Sequence, residues 1–365
     1  DLLSAGRTTL QVPDGWVRAA IARPEALDLD LPGVSTRVAA VWELLHNEGV
    51  GVVLPLVTGG DLVGVLLLGR KRDQAGFLRE ELDVLEAIAG QAALALRNAQ
   101  LLVGRAEQER LRSELDIART IQRNLLPARL PDLPGLEIAA ACLPAQETSG
   151  DSYDLVVDEH GTLHVLVADA CGKSIPAAML IALSRNTLRG ALRRTAAPGR
   201  ALSETNEILL PDLTRSQFLA VSCASIDPQA REVRLANAGQ MYPLLARPGR
   251  NGTPSTCDFL ETPFPRLPLG LMGNLVYQET CTPLHPGDVL VCYSDGLVDV
   301  AQRTGEQFGF DRLVALLGVA AQEGHGAEEI LATLLAAAGT WGEQDTPQDD
   351  ITLVVVRVCA HEGPR

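Results

Sequence analysis

Gly150-Asp151-Ser152-Tyr153-Asp154-Leu155-Val156-Val157 and Leu163-His164-Val165-Leu166-Val167-Ala168-Asp169 flank the short polar link Asp158-Glu159-His160-Gly161-Thr162. Within them Tyr153–Val157 and Leu163–Ala168 are apolar runs of strand length, and Asp158-Glu159-His160-Gly161 between them carries turn residues, so the stretch predicts two strands joined as a hairpin. Their outer ends carry Asp151, Asp154 and Asp169. A carboxylate at the end of a buried strand is costly unless it is solvated, paired or bound to a cation. At any one position a turn-capping Asp explains it equally well.

The same pattern recurs downstream. Asp295 follows Leu290-Val291-Cys292-Tyr293-Ser294, and Asp349-Asp350 lead into Ile351-Thr352-Leu353-Val354-Val355-Val356. Between these strands the sequence predicts helices from Pro176 to about Arg194 and over 201–210. A hairpin is expected over 218–226 and 232–238, with further helices over 312–317 and 327–339. Strand-strand-helix-helix-strand-strand order favours packed antiparallel sheets flanked by helices, an αββα sandwich within an α+β chain, over a parallel sheet. Four acidic strand ends in one domain point to a carboxylate site for hard divalent cations such as Mg²⁺ or Mn²⁺, which prefer oxygen ligands.

The chain upstream reads as a separate α/β unit. Val50–Val57 and Asp61–Leu68 flank Thr58-Gly59-Gly60 as a hairpin, a helix is expected over 34–46, and helical spacing follows from Phe77 through Leu78, Leu82, Leu85, Ile88, Ala92, Ala95 and Leu96. Ala106–Leu126 lacks Gly and Pro, and Leu111, Leu115, Ala118 and Leu125 form a seam with Gln122 at the next seam position. That seam predicts a helix pairing with its own copy; the alternative is an amphipathic helix lying on its own domain. Pro127, Pro131 and Pro134 mark the boundary. The expected division is therefore a unit over 1–100, a helical linker over 101–130 and a second, larger domain over 131–362.

Composition narrows the function classes. Across 365 residues the net charge is −15, which argues against nucleic acid or an anionic membrane as partner. It would also repel a phosphorylated substrate unless bound cations reversed the local field. The seven cysteines include no C-x-x-C pair and predict reduced thiols in a cytoplasmic protein. Apolar runs such as Val63–Leu68 and Ile330–Ala338 are short of the ~20 residues a membrane span requires, and no signal peptide is read at the start. The chain begins at Asp1 without a methionine, as an excised fragment would. No P-loop or dinucleotide glycine signature supports a nucleotide-binding enzyme.

Residues 136–358 resemble the SpoIIE-like branch of the metal-dependent PPM protein phosphatases. The motifs that carry the resemblance run from Pro144-Ala145 through Gly150-Asp151-Ser152-Tyr153-Asp154 to Ala168-Asp169-Ala170-Cys171-Gly172-Lys173-Ser174-Ile175-Pro176-Ala177-Ala178. Asn237-Ala238-Gly239-Gln240, Leu267-Pro268-Leu269-Gly270, Pro286-Gly287-Asp288, Tyr293-Ser294-Asp295-Gly296 and Asp349-Asp350-Ile351-Thr352 follow in order. The resemblance implies a protein serine/threonine phosphatase with two Mn²⁺ or Mg²⁺ ions and direct attack by a metal-bound water. Asp169 would bridge both ions, Asp295 and Asp349 would complete one, and Asp151 with the Ala170 carbonyl would hold the other. Asp154 and Asp350 would support this shell or be structural, and Gly150, Gly172 and Gly296 would let backbone approach the ions. Ser149, Ser174 and Gln240 depart from the family pattern without removing a ligand. The implied substrate is a phosphorylated regulatory protein of the anti-sigma-antagonist type; a catalytically silent scaffold binding that regulator is the alternative.

Residues 1–100 resemble the C-terminal part of a GAF domain, through Val53-Leu54-Pro55-Leu56, Gly60-Asp61-Leu62-Val63-Gly64-Val65-Leu66-Leu67-Leu68-Gly69 and the helix from Phe77. This implies a sensor that binds a small ligand, or else a dimerisation module without one. Together with the 107–127 helix it implies a homodimer in which the helix carries the sensor's state toward Asp151.

Overall fold

A computed structural model describes residues 14–29, 45, 48–73, 75–145, 149–172, 175–195, 197–214, 216–249, 254–342 and 348–360. The chain divides into two compact units, Asp1–Arg112 and Ser113–Arg365. The expected helix over 34–46 lies, apart from Leu45, outside the described residues, as does Ser174.

In the first unit α1 (Asp14–Ala22) precedes a three-stranded antiparallel sheet of β1 (Leu27–Asp28), β2 (Val50–Thr58) and β3 (Asp61–Gly69). Gly59 and Gly60 turn the hairpin with φ of 61° and 85°, the left-handed pair that a two-residue turn demands. β2 is buried on both faces: Val50 and Val53 pack with Ala20, Leu29 and Leu45, while Val52, Leu54 and Leu56 pack under Leu82, Ala89 and Ala93 of α2 (Arg79–Leu125). The buried stripe of α2 thus differs from the expected one. Leu78, Ile88 and Ala95 face outward, because the small side chains of Ala89 and Ala93 allow the closest approach to the sheet. The two helices expected on either side of residue 103 are one, and the division between the units falls within it.

The second unit is an αββα sandwich. One sheet runs β10 (Thr256–Phe259), β9 (Leu244–Arg247), β12 (Val289–Tyr293), β13 (Ile351–Val358), β4 (Leu136–Leu143). The other runs β11 (Thr280–Pro283), β8 (Glu232–Ala238), β7 (Leu219–Asp227), β6 (Leu163–Ala170), β5 (Asp151–Val157). Every pairing is antiparallel. The middle layer, from Tyr153, Val165 and Val167 to Leu290, Val354 and Val356, excludes water between the sheets. α3 (Ile175–Leu192) and α4 (Pro198–Leu209) cover one outer face, and α5 (Gly309–Glu323) and α6 (Ala327–Gly342) the other. With almost no aromatics in these layers, Leu, Val and Ala do the filling, and alternate residues of each strand serve alternate layers.

Candidate active site

The register of the two sheets brings the acidic strand ends to one end of the sandwich. Asp151 pairs across the ladder with Asp169, and Asp169 with Ala220. In the facing sheet β12 ends at Tyr293, opposite Leu353; Ser294 then bonds Thr352 in both directions, its N–H to the Thr352 carbonyl at 3.0 Å and its Oγ accepting the Thr352 N–H at 2.9 Å. Asp295 opens a single 3-10 turn over Asp295–Leu297, and Asp349 lies just before β13. The two sheets are joined at this end by Asp350, whose carboxylate accepts the Ala145 N–H at 2.7 Å and the Gly150 N–H at 2.6 Å.

The carboxylates form two groups. In the first, Asp151 is buried, with one carboxylate oxygen, Oδ2, lacking any hydrogen-bond partner. Burial pushes its carboxyl well above the ordinary range, and the charges of Asp169 and Asp350 add to this against the Ser294 and Thr352 hydroxyls. In the second, burial and the charges of Asp349 and Asp299 raise Asp295, and burial with Asp349 raises Asp299. No Lys or Arg is among the principal influences on these three acids. Among the described residues no three His, Cys, Asp or Glu side chains already stand together as a closed metal cage. The donor set nevertheless fits hard cations: it is all oxygen, mutually repulsive, and includes a buried oxygen without a partner, which bound positive charge would satisfy.

The backbone around the first group is shaped for close approach. A Cβ on Gly150 would stand 2.9 Å from the Ala170 carbonyl oxygen, 3.0 Å from that of Gly172 and 3.3 Å from Asp169 Oδ1. Only glycine leaves these three oxygens facing one another. Gly150 is held in place from both sides, by Asp350 and by the clasp that α2 makes on Ser149. The Ser149 N–H donates to Gln122 Oε1 at 2.9 Å, and Gln122 Nε2 donates to the Ser149 carbonyl. Ser149 Oγ in turn accepts the Asp151 N–H at 3.0 Å, so serine in a position where the family pattern has glycine builds its own turn. A cavity of about 500 Å³ opens here, lined by Arg119, Gln122, Cys142, Ser149, Asp151 and Tyr153 among others.

Several expected roles change. Asp154 stands three residues from Asp151 on one strand, hence on the opposite face; it is bound by Arg189 through Nη2 at 2.7 Å and through Nε at 2.5 Å, with Arg185 beside it. It anchors α3 to the sheet and does not support the carboxylate site. Gly296 serves packing: a Cβ there would fall 1.9 Å from the Asp350 carbonyl oxygen. Gln122, expected at a seam position, is instead buried with its amide on Ser149, and Leu126 just beyond α2 packs on the inter-sheet core. Gln240 closes a turn, exchanging bonds with Asn237 at 2.9 Å. Asp299, which the sequence marks only as an acid near the site without a ligand role, joins Asp295 and Asp349; it lies four residues after Asp295, the spacing of one helical turn, and its N–H bonds the Asp295 carbonyl at 2.9 Å. Gly172 turns with φ of 94°, its carbonyl beside Gly150 in the first group.

Comparison with known proteins places this architecture. The family described as Stage II sporulation protein E (SpoIIE) matches residues 159–359, and the GAF domain matches residues 4–96. The chain is 26% identical over 224 residues to the phosphoserine phosphatase RsbU of Bacillus subtilis, covering 61% of this chain and 64% of that protein. It is 24% identical over 316 residues to protein IcfG of Synechocystis, covering 76% of this chain and 47% of that one. It thus spans less than two thirds of either relative. The SiaA-PP2C domain of Pseudomonas aeruginosa shares the fold, with a TM-score of 0.59 at 22% identity over 69% of this chain and 98% of that domain.

Proposed function

The chain belongs to the Stage II sporulation protein E (SpoIIE) family and carries a GAF domain, and from that premise we propose that it is a metal-dependent protein phosphatase acting on phosphoserine or phosphothreonine. The observation that carries the reading is the buried, partnerless Oδ2 of Asp151 facing Asp169 across the ladder, with Asp295 and Asp349 at the same end of the sandwich. Asp151, Asp169 and the Ala170 carbonyl would hold one divalent cation, and Asp169, Asp295 and Asp349 a second. Such ions, Mn²⁺ or Mg²⁺, supply Lewis-acid stabilisation of the phosphoryl oxygens and activate water for in-line attack. The chain's own part is to aim the carboxylates. Asp350 pins the Ala145–Gly150 loop, the Ser294 and Thr352 hydroxyls favour ionised Asp151, and Gly150 leaves room for the carbonyls.

The substrate in this reading is a phosphorylated regulatory protein of the anti-sigma-antagonist type, and the similarity to a relative described as a phosphoserine phosphatase supports the phosphoserine chemistry. The GAF domain would sense a signal or ligand, and α2 would pass it on through the Gln122 clasp, in a homodimer. Exposed Val84, Ile88 and Leu102 on α2 supply apolar surface for such pairing. No helix among the described residues is long and apolar enough to cross a membrane.

Phosphate release from a phosphoserine protein and from p-nitrophenyl phosphate tests the reading. Mn²⁺ should support turnover, EDTA should abolish it, and Asp295→Asn should lower it by roughly a hundredfold or more, as loss of a main electrostatic element does. Equal, negligible rates in all three conditions would leave a silent scaffold instead.

A further inference from the structure

The rim of the carboxylate end holds a cation without a counter-ion. The Arg266 guanidinium carbon lies 4.2 Å from the ring centroid of Phe264 and 5.0 Å from that of Tyr242, and among the described residues it makes no ion pair or hydrogen bond. Elsewhere in the unit Arg189 binds Asp154, Arg234 binds Glu232, Arg312 binds Glu306 and Arg357 binds Glu137.

Its placement is fixed by the fold. Tyr242 lies on the link from β8 to β9, which crosses between the sheets at the end where Asp169 and Asp295 emerge. Leu269, three residues after Arg266, exchanges backbone hydrogen bonds of 3.0 and 2.8 Å with Leu219, and Leu219 pairs with Ala170. Two strand spacings put Leu269 about 10 Å from Ala170. The Tyr277 hydroxyl donates to the Leu267 carbonyl at 2.7 Å, and Pro268 packs on Gly239, so the backbone carrying Arg266 is tied down on several sides. Phe264, by contrast, is 76% exposed, and Leu267, Leu271 and Met272 are also exposed.

Both rings lie within cation–π distance of the guanidinium, and among the described residues none of its N–H groups is engaged, so its fork is available to a carboxylate through two parallel hydrogen bonds. Arg and aromatic side chains, set in an apolar surround, are also the groups on which protein interfaces concentrate binding energy. We infer that Arg266, beside Tyr242 and Phe264, binds a carboxylate side chain of the phosphoprotein substrate lying a few residues from its phosphoserine. The inference rests on the phosphatase reading. Arg266 lies three residues along the chain from Leu269, itself about 10 Å from Ala170, so the contact is placed beside the reacting phosphate and not on it.

The test uses the full chain with Mn²⁺ and two phosphoserine peptides, one with glutamates three to five residues either side of the phosphoserine and one with glutamines in their place. The unaltered chain should prefer the acidic peptide in kcat/KM by roughly fivefold, the scale of a well-formed pair at an exposed rim. Arg266→Ala should bring that ratio close to one, Arg266→Glu should invert it, and Phe264→Ala should reduce it. Fluorescence anisotropy of the same peptides gives the same ratio from binding. If nothing is turned over, the phosphatase reading falls, while an acidic preference in binding that Arg266→Glu abolishes still upholds the contact. Equal handling of the two peptides by the unaltered chain overturns it. So does a loss in Arg266→Ala that is as large for p-nitrophenyl phosphate as for both peptides, which would place Arg266 on the reacting phosphate.

Discussion

Asp350→Asn probes the joint between the two sheets with a change of almost no volume. The carboxylate, 3% exposed, accepts two backbone N–H groups, from Ala145 at 2.7 Å and Gly150 at 2.6 Å, one on each oxygen. Hydrogen bonds to a charged partner contribute about 1.5–3 kcal/mol each. Asparagine keeps one oxygen, so one bond survives at the neutral value of about 1 kcal/mol, while the other N–H faces an amide donor and stays unpaired at a cost of about 1–3 kcal/mol. The expected loss is about 2–4 kcal/mol. For a unit of this size each 1 kcal/mol shifts Tm by about 2–4 °C, so a fall on the order of 10 °C is expected. Hydrogen exchange supplies the local reading: protection should drop at Gly150 or Ala145, whichever faces the new amide, before it drops along β6 and β7. Because Gly150 carries the oxygens around Asp169 and Ala170, phosphate release should fall as well. An Asn variant within about 0.5 kcal/mol of the parent, with Gly150 still protected, would refute the claim that Asp350 sets this loop.

Gln122→Ala should open the clasp on Ser149. The measurable results are faster exchange at the Ser149 amide and a several-fold loss of phosphate release, with the helix content of α2 unchanged by circular dichroism; an unaltered rate would remove α2 from the regulatory path. His164 gives a pH signature remote from the carboxylates. It is fully buried, with Nδ1 2.8 Å from Ser225 Oγ and Nε2 3.5 Å from Asp158, and burial lowers its pKa below 6.5 in spite of Asp158. Between the lowered folded value and 6.5 the unfolded chain therefore takes up more protons, so stability is complete above pH 6.5 and declines as pH falls through it. Urea midpoints measured from pH 7 to pH 5 should show that decline, and His164→Asn should flatten it; an equal slope in both proteins would rule the group out.

What was legible in the sequence, and what was not, can be traced to particular residues. The cores of β12, β13 and β6 were readable because strands buried on both faces are continuous apolar runs with an aspartate where burial stops. β9, β10 and β11 are four residues each and lie toward or at the sheet edges, too short for any hydrophobic period to register. The structural side of Asp154's two expected roles had a usable signal: residues three apart on a strand point to opposite faces. Asp299 had one too, four residues from Asp295 at a turn.

Sequence alone determined the two-unit organisation, the sandwich class and the identities of the acidic strand ends, because burial and strand length are written in local composition. Only the tertiary structure decided which of those acids share an end and a face. That choice depends on ladder register, where a shift of one residue turns a side chain to the other layer, and on long-range bonds such as that between Asp350 and Gly150, 200 residues apart.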